Sequence, residues 1–179
     1  QTAMDLGIDA YFEEAPAFPA GSYGLLGFRR QLAFHPVRYV SALAAAAAEK
    51  GARIYCGTKA VRLEDGEVKT IHCEGGLTIE ARHVIMATQY PFYDGPNLFF
   101  ARLYPKRAYG LAVEPLRDWP DGLYINAGQP ARSIRAHFEN GRKILIVVGE
   151  SHETGRGEMD MKVHFDNLIA FADEIAGVQ

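Results

Sequence analysis

Cysteine is scarce in this sequence: two in 179 residues, too few for a disulfide scaffold and in keeping with a reducing cytoplasm. Long apolar runs are missing as well. No stretch approaches the roughly 18 residues that a membrane-spanning helix needs, and nothing at the amino end has the form of a signal peptide. Charge of one sign is also missing. Nineteen basic against 22 acidic residues leave a net charge of −3, with no basic run to attract nucleic acid. These absences exclude nucleic-acid and membrane partners. The chain opens at Gln1 without a Met, so it reads as an excised piece of something longer. What is present builds a core. An apolar fraction of 48%, with ten Phe, nine Tyr and one Trp, excludes disorder, and the length fits one domain or two small interleaved ones.

Ala3 to Ile8 reads as the last turn of a helix closed by Gly7, and Ala15 to Gly27 as a loop or irregular strands. Pro36 suits a first helical turn, where its missing N–H is no loss. Val37, Val40, Leu43, Ala44, Ala47 and Ala48 follow at helical spacing, and Gly51 fits the position just past the end. Arg53 to Cys56 reads as a short strand. Val61–Glu64, Glu67–Cys73 and Leu77–Ala81 are separated by Asp65-Gly66 and Gly75-Gly76, which predicts a three-stranded antiparallel meander. The run His83 to Thr88 lacks alternation, as expected of a strand buried on both faces of a parallel sheet. Further strands are expected at Ala108–Glu114, Ser133–Phe138 and Lys143–Gly149, the last two joined by Asn140-Gly141. Met161 to Ala176 carries the apolar stripe of a closing helix.

The chemical motifs are sparse. Gly21, Gly24 and Gly27 lack the spacing of a dinucleotide fingerprint, whose second glycine stands two residues after the first, and Pro16 and Pro19 oppose a preceding strand. His152-Glu153 is half of a zincin motif, with Gly155 breaking any helix. Cys56 and Cys73 lack metal-ligand spacing, so no metal site is expected and both are free thiols in strands. Ser133, Arg135 and His137 share one face of their strand by its period of two, with Arg132 on the other. Such a face is either a ligand-facing wall or simply solvated.

The order of these pieces resembles the FAD-dependent oxidoreductases of the D-amino-acid oxidase superfamily. The resemblance is carried by Phe34-His35-Pro36 leading into the Ala-rich helix, Gly51-Ala52-Arg53-Ile54-Tyr55, the meander with Gly75-Gly76, and Val84-Ile85-Met86-Ala87-Thr88. Leu145 to Gly155 resembles the branch that carries a Rieske domain after the flavin domain. The resemblance implies an α/β (mixed α+β) fold, in which a partial Rossmann-like FAD-binding segment with its meander is joined to a mixed-sheet substrate domain. Residues 35–92 would be the flavin-domain segment, and residues 1–34 and 93–179 the substrate domain. Val61 would pass the adenine side of FAD by backbone contacts, and Ala87 and Thr88 would end a parallel strand at the ligand edge. The family's Gly-rich strand–turn–helix would precede Gln1, so FAD belongs to the intact protein and the piece is not expected to hold it.

The resemblance thus implies an oxidoreductase piece that oxidises an amine or amino-acid-like substrate by hydride transfer to flavin, with Arg135 as the carboxylate clamp and His137 as hydrogen-bond or proton partner. A non-catalytic binding or assembly module is the rival from another class, and a piece of an NAD-linked dehydrogenase is a second. Because the neighbours of Arg53–Cys56 and Val84–Thr88 in the family's sheet would lie outside the chain, these strands must re-pair locally, join another copy or dock on the missing remainder, and self-association or a rearranged sheet is expected.

Overall fold

The computed structural model describes residues 2–14, 23–94 and 98–178. They form three helices, α1 (Thr2–Asp5), α2 (Pro36–Glu49) and α3 (Met161–Ala176), and nine strands. The strands are β1 (Ala10–Glu14), β2 (Gly24–Phe28), β3 (Ala60–Glu64), β4 (Lys69–Cys73), β5 (Thr78–Ala81), β6 (Lys106–Val113), β7 (Leu123–Ile125), β8 (Ser133–Glu139) and β9 (Arg142–Glu153). The fold is mixed α/β, and every strand pair is antiparallel. The chain divides into two compact units, Gln1–Arg29 with Tyr104–Gln179, and Arg30–Leu103.

The first unit holds the main core. Its four-stranded sheet runs in the order β6-β9-β8-β7, and α3 covers one face. Helix α3 starts at Asp160, whose carboxylate accepts from the Lys162 backbone N–H, and ends at Gly177 with φ of 56°, as helix caps require. His164, Leu168, Ala172 and Ala176 are its buried stripe, one residue per helical turn. They meet Tyr109, Ile134, Leu145 and Val147 from the sheet, and Trp119 closes the cluster. Gly149 lets helix and sheet approach: a Cβ there would lie 2.8 Å from Arg132 Cγ and 3.1 Å from Leu168 Cδ2. Asn140 and Gly141 both have positive φ, the backbone a tight two-residue hairpin demands. They set Glu139 opposite Arg142.

Strands β1 and β2 form a hairpin of their own in this unit. The stretch expected to be loop or irregular strand from Ala15 to Gly27 needs correction, since β2 is regular; residues 15–22 lie outside the described residues. Gly24 and Gly27 sit under rings of the facing strand. A Cβ on Gly24 would lie 2.6 Å from Phe12 Cζ, and one on Gly27 would enter the Tyr11 ring. These glycines make room for cross-strand aromatics, not for a phosphate.

The second unit holds α2 and the meander β3-β4-β5. Pro36 opens α2, His35 Nδ1 accepts from the Arg38 N–H, and Gly51 follows with φ of 95°. Two expected strands are absent. Arg53–Cys56 and His83–Thr88 belong to no strand, which corrects both readings and removes the parallel strand that Ala87 and Thr88 were to end. The reason is physical: an apolar run becomes a strand only when a neighbour takes up its N–H and C=O groups. No described residue is that neighbour. Correspondingly, Ile54, Tyr55 and Ile85 are exposed, and α2 has no buried residue. Both cysteines are free, Cys56 exposed and Cys73 buried.

Candidate functional site

The face of the four-stranded sheet turned away from α3 gathers the residues of interest. Directly opposed residues of antiparallel strands share a face, so the pairing defines its rows. One row runs Ile125, Ser133, Val148, Gly110; the next runs Leu123, Arg135, Ile146, Ala112; His137 then stands beside Ile144. Ser133, Arg135 and His137 are all half-buried. Arg132 lies on the helix side. At the end of the face nearest His137, Ala112, Val113, Glu114, Arg142 and Ile144 line an open pocket of about 350 Å³, with Arg142 ion-paired to Glu114.

Arg135 is the unusual member. It is set between Leu123 and Ile146, and its side chain makes no hydrogen bond or ion pair with any described residue. An arginine set among apolar neighbours holds five N–H donors in a fixed fork. That arrangement favours a planar anion such as a carboxylate, which it can bind through two parallel hydrogen bonds.

On the opposite face, a polar cluster joins three elements beneath α3. The ladder between β6 and β9 shifts register between Arg107 and Tyr109, and Glu150 there has φ of 54°. This β-bulge turns the Glu150 side chain toward the helix. Its Oε1 accepts from Arg132 Nη2 at 2.6 Å and Nε at 3.2 Å, and its Oε2 accepts from Asn167 Nδ2 at 3.0 Å. Both side chains are largely buried, Arg132 at 19% and Glu150 at 9% exposure. Burial pushes the Glu150 carboxyl up, but hydrogen bonds from Arg132 and Asn167 and the Arg132 charge outweigh it and hold it below the ordinary carboxylate value. Arg132 also lies over the Phe171 ring at 4.8 Å. Tyr109, His152 and His164 stack beside the pair, with centroids 4.5 Å apart for Tyr109 and His164 and 4.7 Å for the two histidines.

The positions expected to meet FAD lie in the second unit. Val61 falls between the pairs Ala60–Cys73 and Arg62–His72, where the register shifts, so it is the extra residue of a bulge and its backbone is left out of the ladder. Ala87 and Thr88 are exposed and lie outside any sheet. None of these three supplies a pyrophosphate site. Such a site relies on backbone donors at a helix N-terminus, and at each of the two longer helices a side chain already caps one of them. At α2, Pro36 has no N–H and His35 accepts from Arg38; at α3, the Asp160 carboxylate stands where a phosphate would have to sit. The described residues therefore do not fit the whole of FAD. They also contain no group of three His, Cys, Asp or Glu able to hold a metal ion.

The Glu150–Arg132–Asn167 cluster has no signature in the sequence. Its members stand 17 to 35 positions apart in no motif, and the bulge that joins them falls on a glutamate where a glycine would have signalled it. His152 stands out in the sequence only as half a zincin motif. Comparison with known proteins gives two findings. Residues 5–176 match the family model described as FAD dependent oxidoreductase, DAO. The chain is also 34% identical over 174 residues to the Bacillus subtilis (strain 168) protein named "Putative Rieske 2Fe-2S iron-sulfur protein YhfW". That match takes in 97% of this chain and 34% of the relative, so the chain spans about one third of the relative's length.

Proposed function

Because the chain belongs to the family of FAD-dependent oxidoreductases, we propose that it is part of an enzyme oxidising an amine or amino-acid-like substrate, with the open face of the four-stranded sheet as the substrate wall. The observation that carries this reading is Arg135, half-buried between Leu123 and Ile146 with no partner among the described residues. A substrate carboxylate would satisfy its fork while the substrate's apolar part lies on Leu123, Ile146 and Val148. His137, two residues along the same strand, is placed to hydrogen-bond the polar end or to hold a proton there. A bound flavin would supply the hydride acceptor; the chain's own contribution is to bind and orient the substrate. Val61 is proposed as a backbone contact, and Ala87 and Thr88 as neighbours, of a cofactor whose pyrophosphate is held by residues other than those described.

The test is kinetic, in the flavin-loaded parent protein. Replacing Arg135 by Met keeps the apolar stem and removes the charged fork. One charged hydrogen bond contributes about 1.5–3 kcal/mol, so kcat/KM for carboxylate substrates should fall about 10- to 150-fold. Substrates lacking the carboxylate should be unaffected, and Lys should restore part of the loss. Equal loss for both substrate classes, or no loss, removes Arg135 from the site. The capped helix ends favour one alternative, a module that keeps the fold without flavin; such a protein would show no flavin reduction by any amine.

Partners follow from the uncovered apolar surface. Val37, Val40 and Leu43 on α2 are exposed by 67%, 61% and 51%, and Ile85 by 90%. A helix of this length is marginal in water without tertiary cover. We infer that the remainder of a parent protein covers this surface, and that in its absence copies of the chain associate. The name of the bacterial relative suggests that a Rieske 2Fe–2S domain is part of that remainder. Light scattering over a range of concentrations should show a mass above 19.8 kDa; a monomer at every concentration would refute association. No helix among the described residues is long and apolar enough to cross a membrane, and the two free thiols support a cytoplasmic setting.

A further inference from the structure

We propose that His164 is a proton-operated clasp between α3 and the bulge of β9: the neutral ring leaves it open, and a proton on Nδ1, donated to Glu150, closes it. The tautomer follows from the partners. His164 Nε2 lies 3.1 Å from the Glu158 carbonyl oxygen, which can only accept, so Nε2 carries the hydrogen. In the neutral ring Nδ1 is then a bare lone pair. It is buried and has no hydrogen-bond partner, and Glu150 Oε2 faces it at 3.5 Å. Two acceptors face one another where no donor stands. Adding one proton turns that contact into a charge-assisted hydrogen bond within a residue only 8% exposed, where such bonds are strongest.

The groups around the ring are consistent with a single added proton. From β6, Tyr109 stacks on it at 4.5 Å; from β9, His152 stacks at 4.7 Å. From the β7–β8 connection Arg132 holds Oε1 of Glu150, and from α3 Asn167 holds Oε2, which keeps lone-pair capacity for His164. His152 is the group that opposes the event, because two stacked imidazolium rings repel. Closing the clasp ties the start of α3 to the strand that flanks β8. The clasp requires no flavin and no substrate.

The experiment is thermal unfolding of the chain between about pH 8 and about pH 5, where histidine changes charge, for wild type, His164→Phe and Glu150→Gln. Phe keeps the stacking and cannot titrate. Stability from the closed clasp is present at the acid end and lost as pH rises. The wild-type advantage over His164→Phe should therefore grow by about 2–4 °C toward acid pH, and Glu150→Gln should abolish that growth. An advantage that stays constant with pH overturns the proposal. Nitrogen-15 spectra of the imidazoles decide the matter even where a variant does not fold. They should show a proton on Nε2 alone at the basic end and on both nitrogens at the acid end. A proton on Nδ1 alone at the basic end, or an Nδ1 that stays bare at the acid end, overturns it equally.

Discussion

Purified by itself, this chain is expected to be colourless. FAD is bound chiefly through its pyrophosphate, and the donors that usually hold one are the free N–H groups at the start of a helix. Here α2 begins with a proline and caps itself with His35, while α3 begins with the carboxylate of Asp160. Each charged hydrogen bond not made forfeits about 1.5–3 kcal/mol. Two or three such losses lower affinity by several orders of magnitude. Absorbance in the flavin bands after gel filtration with added FAD measures this directly. A yellow preparation with one FAD per chain would show that the pyrophosphate is held by some other route, and would place the cofactor site within these residues.

Replacing Glu150 by Gln should destabilise the first unit by about 3 kcal/mol, the lower end of what breaking a buried ion pair costs. The melting temperature should fall by about 6–12 °C. The loss arises because Arg132 is left largely buried without its counter-charge, and one of the two acceptor oxygens becomes a donor. Glu150→Gly separates two contributions. It loses the same carboxylate but relieves a left-handed backbone that costs a non-glycine residue about 1–2 kcal/mol, so it should melt above Glu150→Gln. Acid should act in the same way as the Gln variant. The carboxyl of Glu150 is held below its ordinary 4.5 in the folded chain, so its contribution is complete above that value and disappears as pH falls through the lower one. Wild type and Glu150→Gln should converge there. Unfolding curves of equal midpoint at neutral pH would show that the pair contributes nothing.

Much of the architecture is readable from local pattern. Pro36 and Gly51 bracket α2, Asp65-Gly66 and Gly75-Gly76 separate the meander, and the stripe ending at Ala176 marks α3, because caps, turns and periodicity act over a few residues. Short β7 is hidden among prolines and glycines, since three residues are too few to show alternation. Alternation along Ser133, Arg135 and His137 is enough to place them on one face. It does not say which face α3 will cover.

Composition and spacing alone determined that the chain carries both helices and strands, with a hairpin at Asn140-Gly141 and no apolar run long enough to span a membrane as a helix. Tertiary structure decided the rest. Whether Arg53–Cys56 and His83–Thr88 become strands depends on a neighbour to accept their hydrogen bonds, which no local pattern encodes. Whether Arg135 is left unpaired, and whether Glu150, Arg132, Asn167 and His164 meet, depends on register across strands and on one bulge. A single extra residue in a ladder redirects every side chain after it, so the polar clasp under α3 exists only once β6, β9 and the helix have packed.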